Sequence, residues 1–426
     1  MQNRRTPSIV LAQRIGLPVD QKVVKLLDKE YVKRATVIDK KISMQPEVVE
    51  FKKKMGYSFN PSAPQQATIL FRDILHCPEG FTKSGGYSTD KATLAKLPFR
   101  IARLILKYRE LTKLHGTYIK MLLCDSPETL VFPDGRLHTQ YNQTDTRTGR
   151  LSSEDPNLQN IPARTEEGRR IRAAFIAPLG YKIFAADYGQ IEPRLIAMAS
   201  KDKFLLNAIK EHYDIHMDWT KRIAVAYPPV FQKFLRRWRD EKKAWKEMRS
   251  DVKSNWVLAG FYGSEKEAMV RRYSLPTRIG YELYEKFHDM FFGVFKWQRQ
   301  LVKQYDELGY TQLWGGRVRH GPLSINRIIN TPIQGWASDV VVNAGDRLSE
   351  RAERKGDPPL QWVTNTHDEL TFFIPKKRIE HYAEIIISSM LKVPFDWVCA
   401  PFALTAKVGH SWLDLQEIGD FYTDEL

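Results

Sequence analysis

The stretch Tyr181-Lys-Ile-Phe-Ala-Ala-Asp-Tyr-Gly-Gln-Ile-Glu192 decides the fold. Its first half is apolar and β-prone, and reads as a buried strand that ends in a carboxylate, Asp187. Pro193 follows where a helix can begin, since proline fits the first helical turn. A carboxylate at such a junction is fixed yet exposed, and the Tyr188 carbonyl beside it offers a second hard oxygen for a cation. Taken alone, Asp187 reads equally well as a turn or cap residue. Two further β-prone runs, 360–366 and 369–374, are separated by His367-Asp368, the spacing of a tight hairpin with Asp368 at an exposed tip. Glu369 can support Asp368. Two neighbouring strand ends that each carry a carboxylate are what a two-magnesium phosphoryl transfer requires.

Between these stretches, Lys246, Arg249 and Lys253 fall at i, i+3 and i+7, so three cations share one helical face. Such a face grips a triphosphate or is simply solvated. The run that follows, Trp256-Val-Leu-Ala-Gly-Phe-Tyr-Gly263, would present aromatics to the same ligand. Upstream, Thr148-Gly-Arg-Leu-Ser-Ser153 and Asn157-Leu-Gln-Asn-Ile-Pro162 gather donors, among them Arg150, Asn157, Gln159 and Asn160. Donors of this kind suit sugar, phosphate and minor-groove contacts. His216, after Asp214-Ile215, reads as a structural histidine or as a phosphate ligand.

The chain has 426 residues and a formal charge of +16, which points to an anionic partner, nucleic acid ahead of a membrane surface. Three scattered cysteines, Cys77, Cys124 and Cys399, form no metal-ligand spacing and fit a reducing compartment. No apolar run approaches the ~20 residues of a membrane span, and the first residues lack a secretory signal. A cytoplasmic monomer is expected, in host cytoplasm for a viral product, with an organelle as the alternative.

Helical periodicity dominates 18–123, broken by the loop Phe59-Asn-Pro-Ser-Ala-Pro64. Residues 130–178 turn to short extended runs and loops, 204–304 are again helical, and 360–374 return to strand. A helix is predicted to start at Thr331 as N-cap, with Pro332 in its first turn and Gln334 completing a capping box, and to stop at Gly356. The expected class is α+β.

The residues then match a known family. The chain from about residue 10 to 426 resembles the polymerase region of family A DNA polymerases, the group that includes bacterial DNA polymerase I. The landmarks are Phe59-Asn60 with Gln65-Gln66, Tyr108-Arg-Glu-Leu111, Thr148-Gly-Arg150, Asn157 to Pro162, Asp187-Tyr188, Gln190-Ile-Glu192, Asp214-Ile-His216, Gly316-Arg317, Gln334-Gly335 and His367-Asp-Glu369. The resemblance implies a right hand with an antiparallel-sheet palm, helical fingers and a helical thumb. After an N-terminal segment 1–17, the thumb is expected at 18–125, the palm at 126–205 and 316–426, and the fingers at 206–315.

It also implies roles. Asp187, Asp368 and Glu369 are the catalytic acids, with Asp187, Tyr188 and Asp368 holding two Mg²⁺ ions that Mn²⁺ can replace. Lys253 is catalytic and, with Gln190, Glu192, His216, Arg249, Trp256 and Tyr262, binds the dNTP. Glu192 blocks a ribose 2′-hydroxyl. Arg150, Asn157, Gln159, Asn160, Arg317, Asn330, Gln334 and His367 contact primer-template DNA. The implied enzyme extends a primer with dNTPs and releases pyrophosphate. No exonuclease segment fits ahead of residue 18, so an enzyme without proofreading is expected, naturally short or cut from a longer chain.

Three departures stand out. Gly189 and Pro193 replace the usual Ser and Leu, and nine positions separate Lys253 from Tyr262, one more than the family has. That leaves Trp256, Val257 and Leu258 as alternatives for the aromatic position beneath the incoming sugar. Two other readings share these residues: a specialised polymerase that copies RNA or passes lesions, and a catalytically silent nucleic-acid-binding homologue. A single-subunit RNA polymerase is disfavoured by Glu192.

Overall fold

The computed structural model describes residues 2–77, 87–163, 165–314, 316–355 and 360–423, apart from the side chains of 2–5 and 352–355. Its centre is one antiparallel sheet of five strands, β1 (Tyr181–Tyr188), β2 (Trp362–Thr366), β3 (Glu369–Pro375), β4 (Ala403–Gly409) and β5 (Gln416–Tyr422). Their spatial order is β5-β4-β1-β3-β2. Side chains alternate between the two faces of a strand, so register decides which chemistry faces the core. Phe184, Ala186, Tyr188, Leu370, Phe372, Leu404 and Ala406 all fall on one face and are buried in the largest core. The opposite face carries Asp187, with Glu369 directly across on β3 and Thr405 directly across on β4. A slip of one residue would turn Asp187 into that core.

An N-terminal helix, α1 (Gln2–Ile15), was not foreseen in the sequence. It is pinned by Ile9 and Ala12, both buried, and by the Gln361 amide, which donates to the Ser8 carbonyl at 2.8 Å. The long helix α2 (Gln21–Ser43) starts at Asp20, whose carboxylate accepts from the Lys22 and Val23 N–H groups. It packs against α3 (Arg100–Leu114). Val24, Leu27 and Tyr31 of α2 meet Leu111 and Leu114 of α3 in one cluster, while Ile42, Phe51, Phe71, Ile101 and Ile105 fill a second. Phe59 to Ala63 form the expected loop, and Pro64 opens a short helix, Pro64–Thr68. A short helix, Glu166–Ile171, lies within a stretch read only as strands and loops.

Beyond β1 the chain enters α4 (Ile191–Ser200), then α5 (Ile215–Ala226), α6 (Pro228–Trp238) and α7 (Glu241–Val252). Pro228 and Pro229 occupy the first turn of α6, where the missing N–H is not needed. After α7 a π-helical turn, Lys253–Val257, leads into a short helix, Leu258–Phe261. Trp219, Trp256, Phe261, Phe287 and Phe291 are fully buried together here, each worth roughly 2–3 kcal/mol of burial.

The helix expected from Pro332 is longer: α8 runs Ile325–Lys355 with Pro332 inside it. Thr331 is therefore no N-cap. Its hydroxyl donates back to the Arg327 carbonyl at 2.6 Å and accepts from Arg319 at 2.7 Å. Burial of Ile328, Ile329 and Ile333 outweighs the roughly 3 kcal/mol that an interior proline costs. Gly356, the expected stop, lies outside the described residues. Helix α8 and α9 (Ile379–Leu391), together with α4, pack on the apolar side of the sheet. The carboxylate face is left to the cleft.

Candidate active site

Asp187 is the penultimate residue of β1, and its position is fixed from both sides by the β3 and β4 ladders. The hairpin between β2 and β3 turns through His367 and Asp368, with His367 at φ +58°. A non-glycine residue there costs of order 1 kcal/mol or more, and the flanking ladder holds it. The Tyr188 N–H donates to the Asp368 carbonyl at 3.2 Å, which staples the second acid to the strand that carries the first. The tip is not as exposed as its sequence implies. His367 is exposed, but the Asp368 side chain is only 25% exposed, because the turn folds against Arg150.

Arg150 joins three elements. Its guanidinium donates to Glu192 Oε1 at 2.9 Å and lies 3.7 Å from Asp368 Oδ1. The Tyr262 hydroxyl donates to the other oxygen of Glu192, and the Asn326 amide donates to the Tyr262 carbonyl at 2.7 Å. Glu192 at the start of α4, Arg150 on its loop and Tyr262 after the π turn are thus one network around the carboxylates. Asn326 was not singled out in the sequence, and no motif marks it.

Burial raises the Asp187 carboxyl to about 6, with Glu369 across the ladder adding to the rise and Lys407 and Lys253 opposing it. Asp368 is likewise raised to about 6 by burial, with Arg150 opposing and Glu192 and Asp187 adding. Glu369 is raised as well, chiefly by burial, against Lys407 and Arg172. Three acids share a partly dry pocket with insufficient positive charge. Among the described residues no three His, Cys, Asp or Glu side chains converge into a metal cage. Two carboxylates and a backbone carbonyl nevertheless suit Mg²⁺, which takes one or two protein carboxylates and completes its shell from water and substrate phosphate.

The cations of the middle segment sit close by. Lys253 opens the π turn, and its charge acts on both Asp187 and Asp368. Arg249 donates twice to Asp214, at 2.7 and 3.0 Å, and Asp214 also caps α5 by accepting from the Met217 N–H. That pairing was missed in the sequence, although an N-cap Asp ahead of a helix was a usable signal. His216 is 2% exposed, and among the described residues neither ring nitrogen has a partner. Burial, with Lys253 and Arg249 nearby, lowers its pKa to about 4. The structure thus puts it behind the surface that Arg249 and Lys253 present.

Trp256 requires a correction. It is fully buried, 6.2 Å from the Trp219 ring and 6.0 Å from Tyr273, and it is not presented to a ligand. A π turn carries one extra residue relative to an α-helix, so the turn Lys253–Val257 has room for the extra position expected between Lys253 and Tyr262. Trp256 lies in the core while the Tyr262 hydroxyl reaches Glu192. Val257 is also buried, and only Leu258 of the three alternatives retains partial exposure.

The remaining candidates line adjoining surfaces. Asn157 and Asn160 are exposed around the 3₁₀ turn Leu158–Asn160. Gln159 donates to the carbonyls of Leu151 and Asn365 at 3.1 and 3.2 Å, tying that loop to β2. Arg317 pairs with Asp339 at 2.6 Å and lies directly over Gly149, where φ is +78° and any Cβ would strike the guanidinium. On α8, Asn330 and Gln334 are half-buried one turn apart. Gln190 is exposed at φ +51°. No helix among the described residues is long and apolar enough to cross a membrane.

The profile of DNA polymerase family A matches residues 33–414. The chain is 32% identical to DNA polymerase I of Chloroflexus aurantiacus over 420 residues, 95% of this chain and 42% of that protein. It is 34% identical to the thermostable DNA polymerase I of Thermus aquaticus over 378 residues, 85% of this chain and 42% of that one. Among solved structures, the POL domain of Pol1 from M. smegmatis, in complex with DNA primer-template and dNTP, superimposes with a TM-score of 0.79 at 28% identity. The match covers 97% of this chain and 70% of that one. The chain thus spans less than half the length of these curated relatives.

Proposed function

Because the chain belongs to DNA polymerase family A, we propose that it extends the 3′-hydroxyl of a primer with dNTPs on a DNA template, releasing pyrophosphate. The observation that carries this reading is the meeting of Asp187 and Asp368 at one sheet end, joined through the Tyr188 N–H to Asp368 carbonyl bond. On this reading the thumb would span 18–125, the palm 126–205 and 316–426, and the fingers 206–315.

Asp187, Asp368 and the Tyr188 carbonyl would hold the divalent cations, Mg²⁺ with Mn²⁺ as substitute. When bound, these ions would lower the primer hydroxyl pKa and offset charge on the leaving pyrophosphate. Glu369, opposite Asp187, keeps the pocket acidic without occupying the hairpin tip. Lys253 and Arg249 are positioned to grip the triphosphate, Arg249 by exchanging Asp214 for phosphate oxygens. Gln190 would flank that group, with His216 buried behind Arg249 and Lys253. Glu192, gripped by Arg150 and Tyr262, would form the floor that excludes a 2′-hydroxyl.

Tyr262 would border the templating base, with Leu258 rather than Trp256 towards the sugar. Arg150, Asn157, Gln159, Asn160, Arg317, Asn330, Gln334 and His367 would track the primer-template backbone and minor groove.

The test is extension of a labelled primer on a DNA template with Mg²⁺, comparing the wild type with Asp187→Ala. Template-matched extension that the substitution abolishes supports the proposal. Unchanged extension in the variant overturns it.

A further inference from the structure

Helix α8 carries Arg327, Thr331 and Gly335 at intervals of four, and Ser338 and Asp339 continue the row, so one helical face runs past all of them. Two outside segments lie on that face. The hairpin formed by Tyr310–Gln312 and Val318–His320 reaches it through Arg319, whose guanidinium donates to the Thr331 hydroxyl at 2.7 Å, and through Arg317, which pairs with Asp339 at 2.6 Å. The turn from Thr146 to Gly149 is closed by the Gly149 N–H on the Thr146 carbonyl at 3.1 Å and meets the face further along. There the Ser338 hydroxyl donates to the Gly149 carbonyl at 2.9 Å, and a Cβ on Gly335 would stand 2.9 Å from the Thr148 carbonyl. Arg147, the second residue of that turn, is exposed, as is Arg327, while Arg319 is half-buried.

These arginines differ from their neighbours in what balances them. Arg150 donates to Glu192 and Arg317 to Asp339, so both are already neutralised. Among the described residues Arg147, Arg319 and Arg327 form no ion pair, and Arg319 Nε finds no acceptor. Burial lowers the Arg319 pKa, and the charges of Arg147 and Arg327 push it the same way. Three like charges from three elements, held together by packing with no acid between them, gain from an anion supplied from outside.

The surroundings select the anion. Arg147 is three residues from Arg150, at most about 10 Å along the chain. The Arg150 guanidinium lies 3.7 Å from Asp368, where the primer 3′-hydroxyl is proposed to react. On α8, Asn330 and Gln334 adjoin Thr331 and Gly335 in sequence and are proposed contacts to the same duplex. A guanidinium matches a phosphate in charge and in the fork of its donors. We infer that Arg147, Arg319 and Arg327 together hold backbone phosphate of the primer-template duplex beside the primer terminus. This rests on the polymerase reading above.

The experiment measures primer-template binding across salt concentrations for the wild type and for Arg147→Ala/Arg327→Ala, which removes two exposed side chains that have no ion pair. An uncharged methylphosphonate replaces one phosphate at a time within a few base pairs of the primer terminus. The variant should bind more weakly on every sequence, its logarithmic salt slope falling by about 1 to 2, at roughly 0.9 per duplex phosphate contact. A neutral linkage at one or two positions should weaken the wild type and leave the variant unaffected. The dNTP KM at saturating primer-template should match the wild type, and Arg147→Lys/Arg327→Lys should recover part of the lost affinity. Unchanged affinity and slope overturn the inference, as do neutral linkages that weaken both proteins equally at every position, or a change confined to the dNTP KM. Lost affinity that the lysine variant does not recover, with a lower melting temperature, makes the arginines structural and overturns it too. If the wild type neither binds nor extends any primer-template, the polymerase reading itself fails.

Discussion

Asp187 and Asp368 are expensive residues to place where they are. Each is raised from an ordinary value of 3.8 to about 6, so between about pH 4 and 6 the folded chain holds more protons than the unfolded one. Stability therefore falls as pH rises through about 6. Asp368→Asn should stabilise the fold at pH 8 without divalent cations by up to about 3 kcal/mol, seen as a higher melting temperature, and this gain should vanish near pH 4. Calorimetry at the two pH values checks it. The same titration predicts that cation-dependent extension climbs between about pH 5 and 7, because both carboxylates must be ionised to hold a cation. Glu192, held by Arg150 and Tyr262, carries the sugar prediction. Glu192→Ala should raise ribonucleotide use relative to deoxynucleotide, read as the ratio of the two kcat/KM values, and an unchanged ratio would contradict the role. Asp187 and Asp368 were legible because each follows a β-prone run. The inward turn of Trp256, the burial of His216 and the Asp214–Arg249 pair were not, since they depend on how α5 and α7 pack.

The π turn Lys253–Val257 shows how an element absorbs a change in length. One additional residue in a regular helix rotates everything beyond it by about 100°, whereas a π turn holds that residue locally. Deleting Ser254, which is exposed within the turn, should restore an α-helix and leave Tyr262 against Glu192, so primer extension should survive. Deleting Lys246 from the regular helix α7 should instead turn Arg249 away from Asp214 and abolish extension. Loss of activity in both deletions would contradict this account of the turn. The extra residue was visible in the spacing of Lys253 and Tyr262; its structural consequence was not. Helix α8 makes the complementary point, because Thr331 and Pro332 carry start signals that burial of Ile328, Ile329 and Ile333 overrides. The hairpin carrying Asp368, by contrast, has a strong local signal in a two-residue turn between apolar runs, and it forms as read.

Across the whole molecule, the order of helical first third, split sheet and helical insert was legible from periodicity, and the packing of distant segments was not. Helix α1 is the clearest case. Its few apolar positions give no strong pattern, yet Ile9 and Ala12 join the same core as β1, and the Ser8 hydroxyl donates to Asp346 on α8. Ser8→Ala should cost about 1–2 kcal/mol, measured by denaturant unfolding, because a buried carboxylate loses a donor. The central claim is that two acids far apart in the sequence, Asp187 and Asp368, form one catalytic centre for DNA synthesis. Its most direct test is single-turnover primer extension with Mg²⁺ and the template-matched dNTP, comparing the wild type with Asp368→Asn at equal primer-template occupancy. The account predicts rapid addition of the matched nucleotide by the wild type and loss of addition in the variant with DNA binding intact. Addition by Asp368→Asn at the wild-type rate would contradict it.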